Sequence, residues 1–579
     1  MLKVPLFICL FVLVFSSLAI AQEKEENIKD KQRRREQLIE QILADVQNLK
    51  LPENRALVYP KIGGIVWKND EKLARSLFQN SINELINAQL LAEADKKNIT
   101  YQHELITGQT TRPQILQIIA ANDAELALDY LYKSRPAALS KIIAASTVKT
   151  TKISNSNNQS YLANNETNLE QRLMRLAADQ KPERALKFLK ESLKKGLSDE
   201  TLSLLKKLHE KDAETGKEVA SEVVAKLIGA NFNPQNPSNY QNINISTNIL
   251  NEFIRQKSAA ENALKFDESQ MRSLAEKLVS FFLQQNNGRV YFNAHAIIPI
   301  AEKLTPSSVE ALKKLQRNSR SGFDMGYEYD PEISKILNSE TTAEQLLNEA
   351  KKFPLNSRRQ FYQTAANKFA QQGNINRATE ILRENYDDDA FDDALNGLKW
   401  QYSYNLISEG KFEEAERLID EFPETTRVGA LINLANSIYQ KNQKENKSYA
   451  VAVLNKARSF VSDKPEDSTE MQNLMQIISA YCTIESSEAF RLFEPLISQI
   501  NELSDAAAVI NGFQRNSNVK QNEFLLTNGN PSGYFGADFS ILSRLSKEDY
   551  DRTINIIDSF TRREIRVSLK LQLLENALN

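Results

Sequence analysis

Small residues recur along this chain at the spacing of helix hairpins. Ala343, Ala378, Ala415, Ala450 and Ala489 each precede large apolar residues by three to four positions, and successive anchors lie 35, 37, 35 and 39 residues apart. A repeat of that length is one pair of helices, and a single pair cannot bury both of its faces. The pattern therefore predicts an all-α fold, an α-solenoid of stacked antiparallel helix hairpins. One unit shows the logic in detail. Phe361, Ala365, Ala366 and Phe369 form a stripe at helical period, Gly373 stops the helix and Asn374 begins the turn. Ala378 is small where the two helices approach, and Ile381 and Leu382 fill the seam. The next unit repeats this with Gly410, Phe412, Ala415, Leu418 and Ile419.

The order small residue, aromatic, glycine, alanine, large apolar residue, as in Ala366, Phe369, Gly373, Ala378 and Leu382, resembles the tetratricopeptide repeat family. The match is good over 357–383, fair over 398–422 and degenerate elsewhere; a three-residue excess between Ala435 and Ala450 departs from it. The resemblance implies a tetratricopeptide-like right-handed superhelix whose concave face often grips peptides. Weaker echoes extend the pattern. Ala74, Leu77 and Phe78 follow a helix carrying Trp67, and similar anchors stand at Ala127 and Ala185. Near the end, the segment from Tyr550 aligns with that from Phe412, apart from a one-residue shift before Arg-Val. The opening and closing segments also resemble secreted bacterial helical-repeat proteins of unassigned function.

Four stretches interrupt the array. Residues 152–168 and 230–246, rich in Asn and Ser, read as linkers, and 322–332 separates the middle from the regular repeats. Residues 512–538 carry Gly529, Gly533, Gly536 and Pro531 and read as a loop insertion, either functional or mobile filler. The expected organisation is a signal peptide at 1–21, N-terminal helical repeats at 22–151, and hairpins at 169–229 and 247–321. Tetratricopeptide-like repeats at 333–511, the 512–538 insertion and a C-terminal repeat at 539–579 follow.

Residues 1–21 have the parts of a secretory signal: Lys3, an apolar run from Val4 to Ile20, and Ala19-Ile20-Ala21 before Gln22. An uncleaved membrane anchor is the alternative. Export places the protein in the periplasm or outside the cell, with no stable membrane insertion after cleavage. Cleavage leaves 72 basic against 75 acidic residues, so no general positive field exists for nucleic acid. Cys482 is then the sole cysteine, and the fold must rest on packing rather than disulfides.

Chemistry-bearing residues are sparse. Three histidines, His103, His209 and His295, lie in separate segments without a partner pattern, so no metal or cofactor is expected. The run YDDDAFDDA (386–394) lacks the glycine and alternating spacing of a calcium loop and reads as a helix start. LMQIIS (474–479) and Glu485-Ser486 carry the elements of lytic transglycosylases in reversed order without the glycine, which reads as coincidence. Arginine recurs where hairpins begin, at Arg55, Arg358, Arg427 and Arg566. Either these pair with acids of the preceding helix, such as Asp420 or Glu421 near Arg427, or they form a guanidinium column on the concave face.

The remaining face of the first helices is the expected binding surface. Gln363 and Asn367 lie four residues apart, Trp400 and Tyr404 have similar spacing in the next unit, and Asn436 follows in a third. They would offer amides around an aromatic platform to an extended peptide or glycan; a solvated face with two core aromatics is the plainer reading. The sequence thus predicts a scaffold for protein or peptide partners, of unknown oligomeric state. The alternative is a hydrolase of cell-wall or extracellular polymer with carboxylates in the groove.

Overall fold

The computed structural model describes residues 29–94, 111–147, 156–181, 189–193, 196–230, 232, 237–255, 262–284, 294–320, 331–337, 340–514, 518–526 and 537–576. The signal-peptide reading, His103 and the anchor Ala185 lie outside them. Apart from one two-stranded hairpin, the regular structure among the described residues is helical, and consecutive helices pack in pairs. The fold is the expected all-α solenoid of stacked hairpins. It divides into two compact units: 46–325 with 514–528, and 326–513 with 529–579 and the N-terminal stretch to Asp45.

Helix α1 (29–47) begins the described chain. In the unit from residue 46, α2 (Pro52–Val66) pairs with α3 (Glu71–Ala94), and α4 (Thr111–Ala120) pairs with α5 (Ala124–Lys133). The anchors Ala74 and Ala127 have no exposed surface. Both stretches expected to be linkers are largely helical: α6 spans Ser156–Gln180 and α7 spans Pro237–Arg255. Asn and Ser are weak helix formers, but burial overrides propensity here. Leu162, Ala163, Glu166, Leu169, Glu170 and Leu173 fall at helical spacing and are all buried.

Two of those buried residues are acids, and α4 brings their counter-charge. Arg112, 1% exposed, grips Glu166 through Nη1–Oε2 at 2.6 Å and Nη2–Oε1 at 3.0 Å. Its remaining donors meet the Leu131 carbonyl at 2.6 Å and Ser134 Oγ at 3.1 Å, and Arg135 adds a 2.7 Å bond to Glu166. Burial alone would raise the Glu166 pKa, but Arg112 and then Arg135 outweigh it, and the carboxyl sits below its ordinary value.

Within the 512–538 insertion, residues 518–526 are described and form a hairpin, while Gly529, Pro531, Gly533 and Gly536 lie outside the described residues. Strands β1 (Val519–Lys520) and β2 (Glu523–Phe524) pair antiparallel across Gln521 and Asn522, both at positive φ (51° and 60°). Two consecutive left-handed residues give the turn whose twist suits a two-residue hairpin. The hairpin docks on the start of α2. Glu523, 4% exposed, accepts hydrogen bonds from the Lys50 amide (2.7 Å), the Leu51 amide (3.1 Å) and Asn54 Nδ2 (2.8 Å). Asn54 also donates to the Phe524 carbonyl and accepts from the Leu526 amide, both at 2.8 Å. The carboxylate thus satisfies the two backbone amides just ahead of α2 and sits at the positive end of its dipole, where Leu51 has no side-chain acceptor.

In the other unit the regular repeats run α8 (Leu355–Gln371), α9 (Ile375–Asn385), α10 (Asp388–Glu409), α11 (Phe412–Ile419), α12 (Glu424–Lys441), α13 (Lys447–Arg458), α14 (Ser468–Ile484) and α15 (Ser486–Phe493). Beyond the insertion come α16 (Ile541–Glu548), α17 (Tyr550–Asp558) and α18 (Arg563–Asn576). The start of the described chain packs on this end. Lys570, 4% exposed, reaches Asp45 at 3.3 Å, and the Arg34 guanidinium lies 4.8 Å from the centre of the Tyr550 ring. No helix among the described residues is long and apolar enough to cross a membrane.

The buried Arg112–Glu166 pair yields a sharp expectation. Glu166→Gln leaves Arg112 without its charge partner and should cost about 3–5 kcal/mol in denaturant unfolding. Because the folded pKa is depressed, the pair's contribution is present above the unfolded carboxylate pKa. It is lost as pH falls through the lower folded value, so the variant should show a smaller loss of stability on acidification than the wild type.

Candidate binding cleft on the first helices

The recurring arginines do not form a column on the groove. Arg358 Nε donates to the Phe353 carbonyl at 2.8 Å, Arg427 Nη2 to Phe422 at 2.6 Å, Arg566 Nη1 to Phe560 at 2.6 Å, and Arg55 Nη1 to Leu49 at 2.5 Å. Each guanidinium reaches back five or six residues to a carbonyl beyond the preceding helix, where a cation meets the negative end of that helix. The expected partners of Arg427 are engaged elsewhere: Asp420 with Lys456 at 2.7 Å and Glu421 with Lys399 at 2.8 Å. Arg55 does take a carboxylate as well, Glu84 at 2.8 Å.

The first helices α8, α10, α12 and α14 follow one another as neighbours, and α16 packs against α14. Each ends at a sharp turn: Gly373 (φ 81°) and Gly410 (φ 78°) in the left-handed region, Asn442 in extended conformation and Glu485 at φ −152°, ψ 80°. Counting back ten and six residues from these turns gives Gln363 and Asn367, Trp400 and Tyr404, Ile432 and Asn436, then Met475 and Ser479. These positions share a register, so all five expected binding residues occupy one of two equivalent positions and have counterparts in a later helix. Trp400 and Tyr404 are 41% and 56% exposed, with Trp400 lying 5.8 Å from Phe422. Gln363 Nε2 donates to Asn367 Oδ1 at 3.4 Å.

A cleft of about 510 Å³ opens where this register passes α12 and α14. Ile432, Met475 and Ala480 give it an apolar floor. Asn436, Gln472 and Gln476 bring three amides, none of them hydrogen-bonded to any other described residue. Ser479 and Thr483 add hydroxyls, and Asp538 and Arg544 complete the rim. Of the residues expected to bind, Asn436 lines this cleft; Gln363, Asn367, Trp400 and Tyr404 stand on earlier helices outside it. Gln472, Gln476, Ser479 and Arg544 escape the sequence reading. Counting from the turns would have found Ser479, because the three-residue excess before Ala450 lies in the turn and displaces only the alanine anchors; Gln472 and Gln476 stand three residues ahead of the two register positions Met475 and Ser479 and carry no such signal. Arg544 has no such signal, since it arrives from a hairpin beyond the insertion.

Chemistry at the other candidates is muted. Asp387 precedes α10 and pairs with Arg359 at 3.1 Å, and Asp392 and Asp393 are exposed in its first turns. His209 is 8% exposed and its Nδ1 lies 3.1 Å from the Ala213 carbonyl, a packing role. Glu485 is held below its ordinary pKa by the Ser487 hydroxyl and Lys447, the opposite of what a general acid needs. The cleft carries one carboxylate, Asp538, already bound to Ser540 N at 2.9 Å and Oγ at 2.8 Å. A second cleft, lined by Arg272, Gln284 and Ser308, likewise contains a single carboxylate, Glu276. Neither offers the two acids that glycoside hydrolysis requires.

No protein-family model matches the chain, and no curated protein matches it. Among solved structures it is similar to a circular tandem repeat protein described as having a novel repeat topology and enhanced subunit contact surfaces. The identity is 13% over 94% of this chain and 96% of that one, with a TM-score of 0.19. At that score the likeness adds nothing to what the helix pairing already establishes.

Two variants separate structural from available polar groups. Arg427→Lys loses the fork that holds the Phe422 carbonyl and should lower stability by about 1–2 kcal/mol. The double change Gln472→Ala, Gln476→Ala removes no internal bond and should leave the unfolding midpoint nearly unchanged, within about 0.5 kcal/mol. Urea titrations of the purified protein would read both.

Proposed function

We propose that this chain is an exported helical-repeat protein that serves as a protein-binding scaffold in the cell envelope or outside the cell. The observation that carries the reading is the cleft on the first helices, where Asn436, Gln472 and Gln476 leave their amides unused inside the protein. Unused amides on a rigid helical row are ready to meet the backbone of another chain. Export rests on the composition of residues 1–21. Cys482, the one cysteine among the described residues, suits an oxidising compartment: burial pushes its thiol up to about 12, so it stays protonated and inert toward disulfide exchange.

Two measurements test the proposal. N-terminal sequencing of the protein recovered from the envelope or medium should begin at Gln22; an intact signal or a cytoplasmic pool would remove the address. A photoreactive residue at Gln476 should give discrete protein adducts in intact cells, and the same residue at exposed Lys226, which does not line the cleft, should not. Turnover of cell-wall polymer by the purified chain, with no adduct at Gln476, would favour the hydrolase instead.

A further inference from the structure

We propose that the cleft selects an extended peptide segment bearing an internal acidic side chain, with Arg544 reading the charge. This rests on the scaffold reading and names the chemistry of its partner. Arg544 is the one cation among the residues lining the cleft, and other cations of this unit are paired with acids: Arg491 with Glu488, Arg552 with Glu494, Lys447 with Glu485, and Lys456 with Glu416 and Asp420. Arg544 differs. It is exposed, and its Nη1 donates to Ser479 Oγ at 3.1 Å and to the Ser479 carbonyl at 3.4 Å. It forms no ion pair with any described residue. Asp538 on the same rim is held by Ser540, and Glu548, one turn along α16, makes no ion pair with it.

A guanidinium has five N–H donors, and these contacts employ one nitrogen. Ser479 fixes the side chain from below and leaves the outer donors free to grip a carboxylate in bidentate fashion. The amides supply the second half of the argument. Gln472 and Gln476 stand one helical turn apart, a rise of about 6 Å. Two residues of an extended chain span about 6.7 Å. Successive amides therefore match alternate peptide groups of an extended segment, each offering one donor and one acceptor. The floor of Ile432, Met475 and Ala480 receives a small apolar side chain between them.

The test uses the mature chain from Gln22 and short fluorescent peptides with both termini blocked, in an Ala-Ser background. They differ only at one central residue: Glu, Asp, Gln or Lys. At low salt the Glu and Asp peptides should bind at least about fivefold more tightly than the Gln isostere, and added salt should shrink the gap. Arg544→Gln should abolish that preference while keeping the wild-type unfolding midpoint. The Gln472→Ala, Gln476→Ala variant should weaken every peptide while preserving the ratio. Equal binding of Glu and Gln peptides, a preference that survives Arg544→Gln, or no peptide binding at all would overturn the inference. So would tighter binding of oligogalacturonate than of any Glu peptide, which would assign the cleft to an acidic glycan. The scaffold reading stands or falls separately, on the adducts at Gln476.

Discussion

The two helices of each regular hairpin meet at an alanine with no exposed surface: Ala343, Ala378, Ala415, Ala450 and Ala489 are all fully buried. That close approach sets the rest. A larger residue would force the helices apart, and the neighbouring pair could no longer seat its apolar stripe. With the seam fixed, Ile381, Leu382, Ile419, Val453 and Leu454 fill it. The first helices are then left to share one row, on which the amides and aromatics stand. The arginines at hairpin entries belong to the same economy. By tying each first helix to the carbonyl beyond the preceding second helix, they fix the step from one pair to the next.

The repeats were legible because their signal is local. Every anchor alanine between residues 343 and 489 could be read from spacing, as could the glycine turns at Gly373 and Gly410. Two segments differ from what their composition suggests, because packing decides their structure. Residues 156–168 look like a linker, yet Leu162, Ala163 and Glu166 are buried and the segment is helix. The insertion looks like filler, yet Glu523 and Asn54 complete each other's hydrogen bonding from opposite ends of the sequence.

The cleft was half legible. Asn436 belongs to a pattern visible within one hairpin, and the turn-based register extends it to Met475 and Ser479. Arg544 could not be placed, because its approach to Ser479 spans 65 residues and an insertion whose path no spacing encodes. The charge character of the site therefore depends on a contact that only the folded chain reveals. On sequence alone the same face reads as neutral.

The hairpin seated on α2 also has a consequence in time. The Lys50 amide finds its acceptor 473 residues later in the chain. A chain released N-terminus first, from a ribosome or an export channel, would carry the entry to α2 with the Lys50 and Leu51 amides lacking Glu523 until almost everything else had emerged. Loop closure over such a distance is slow to form and costs little more than closure over a shorter one once formed. The earliest part of the protein to appear is thus among the last to be finished, and a chain cut short before Glu523 would leave its own beginning incomplete.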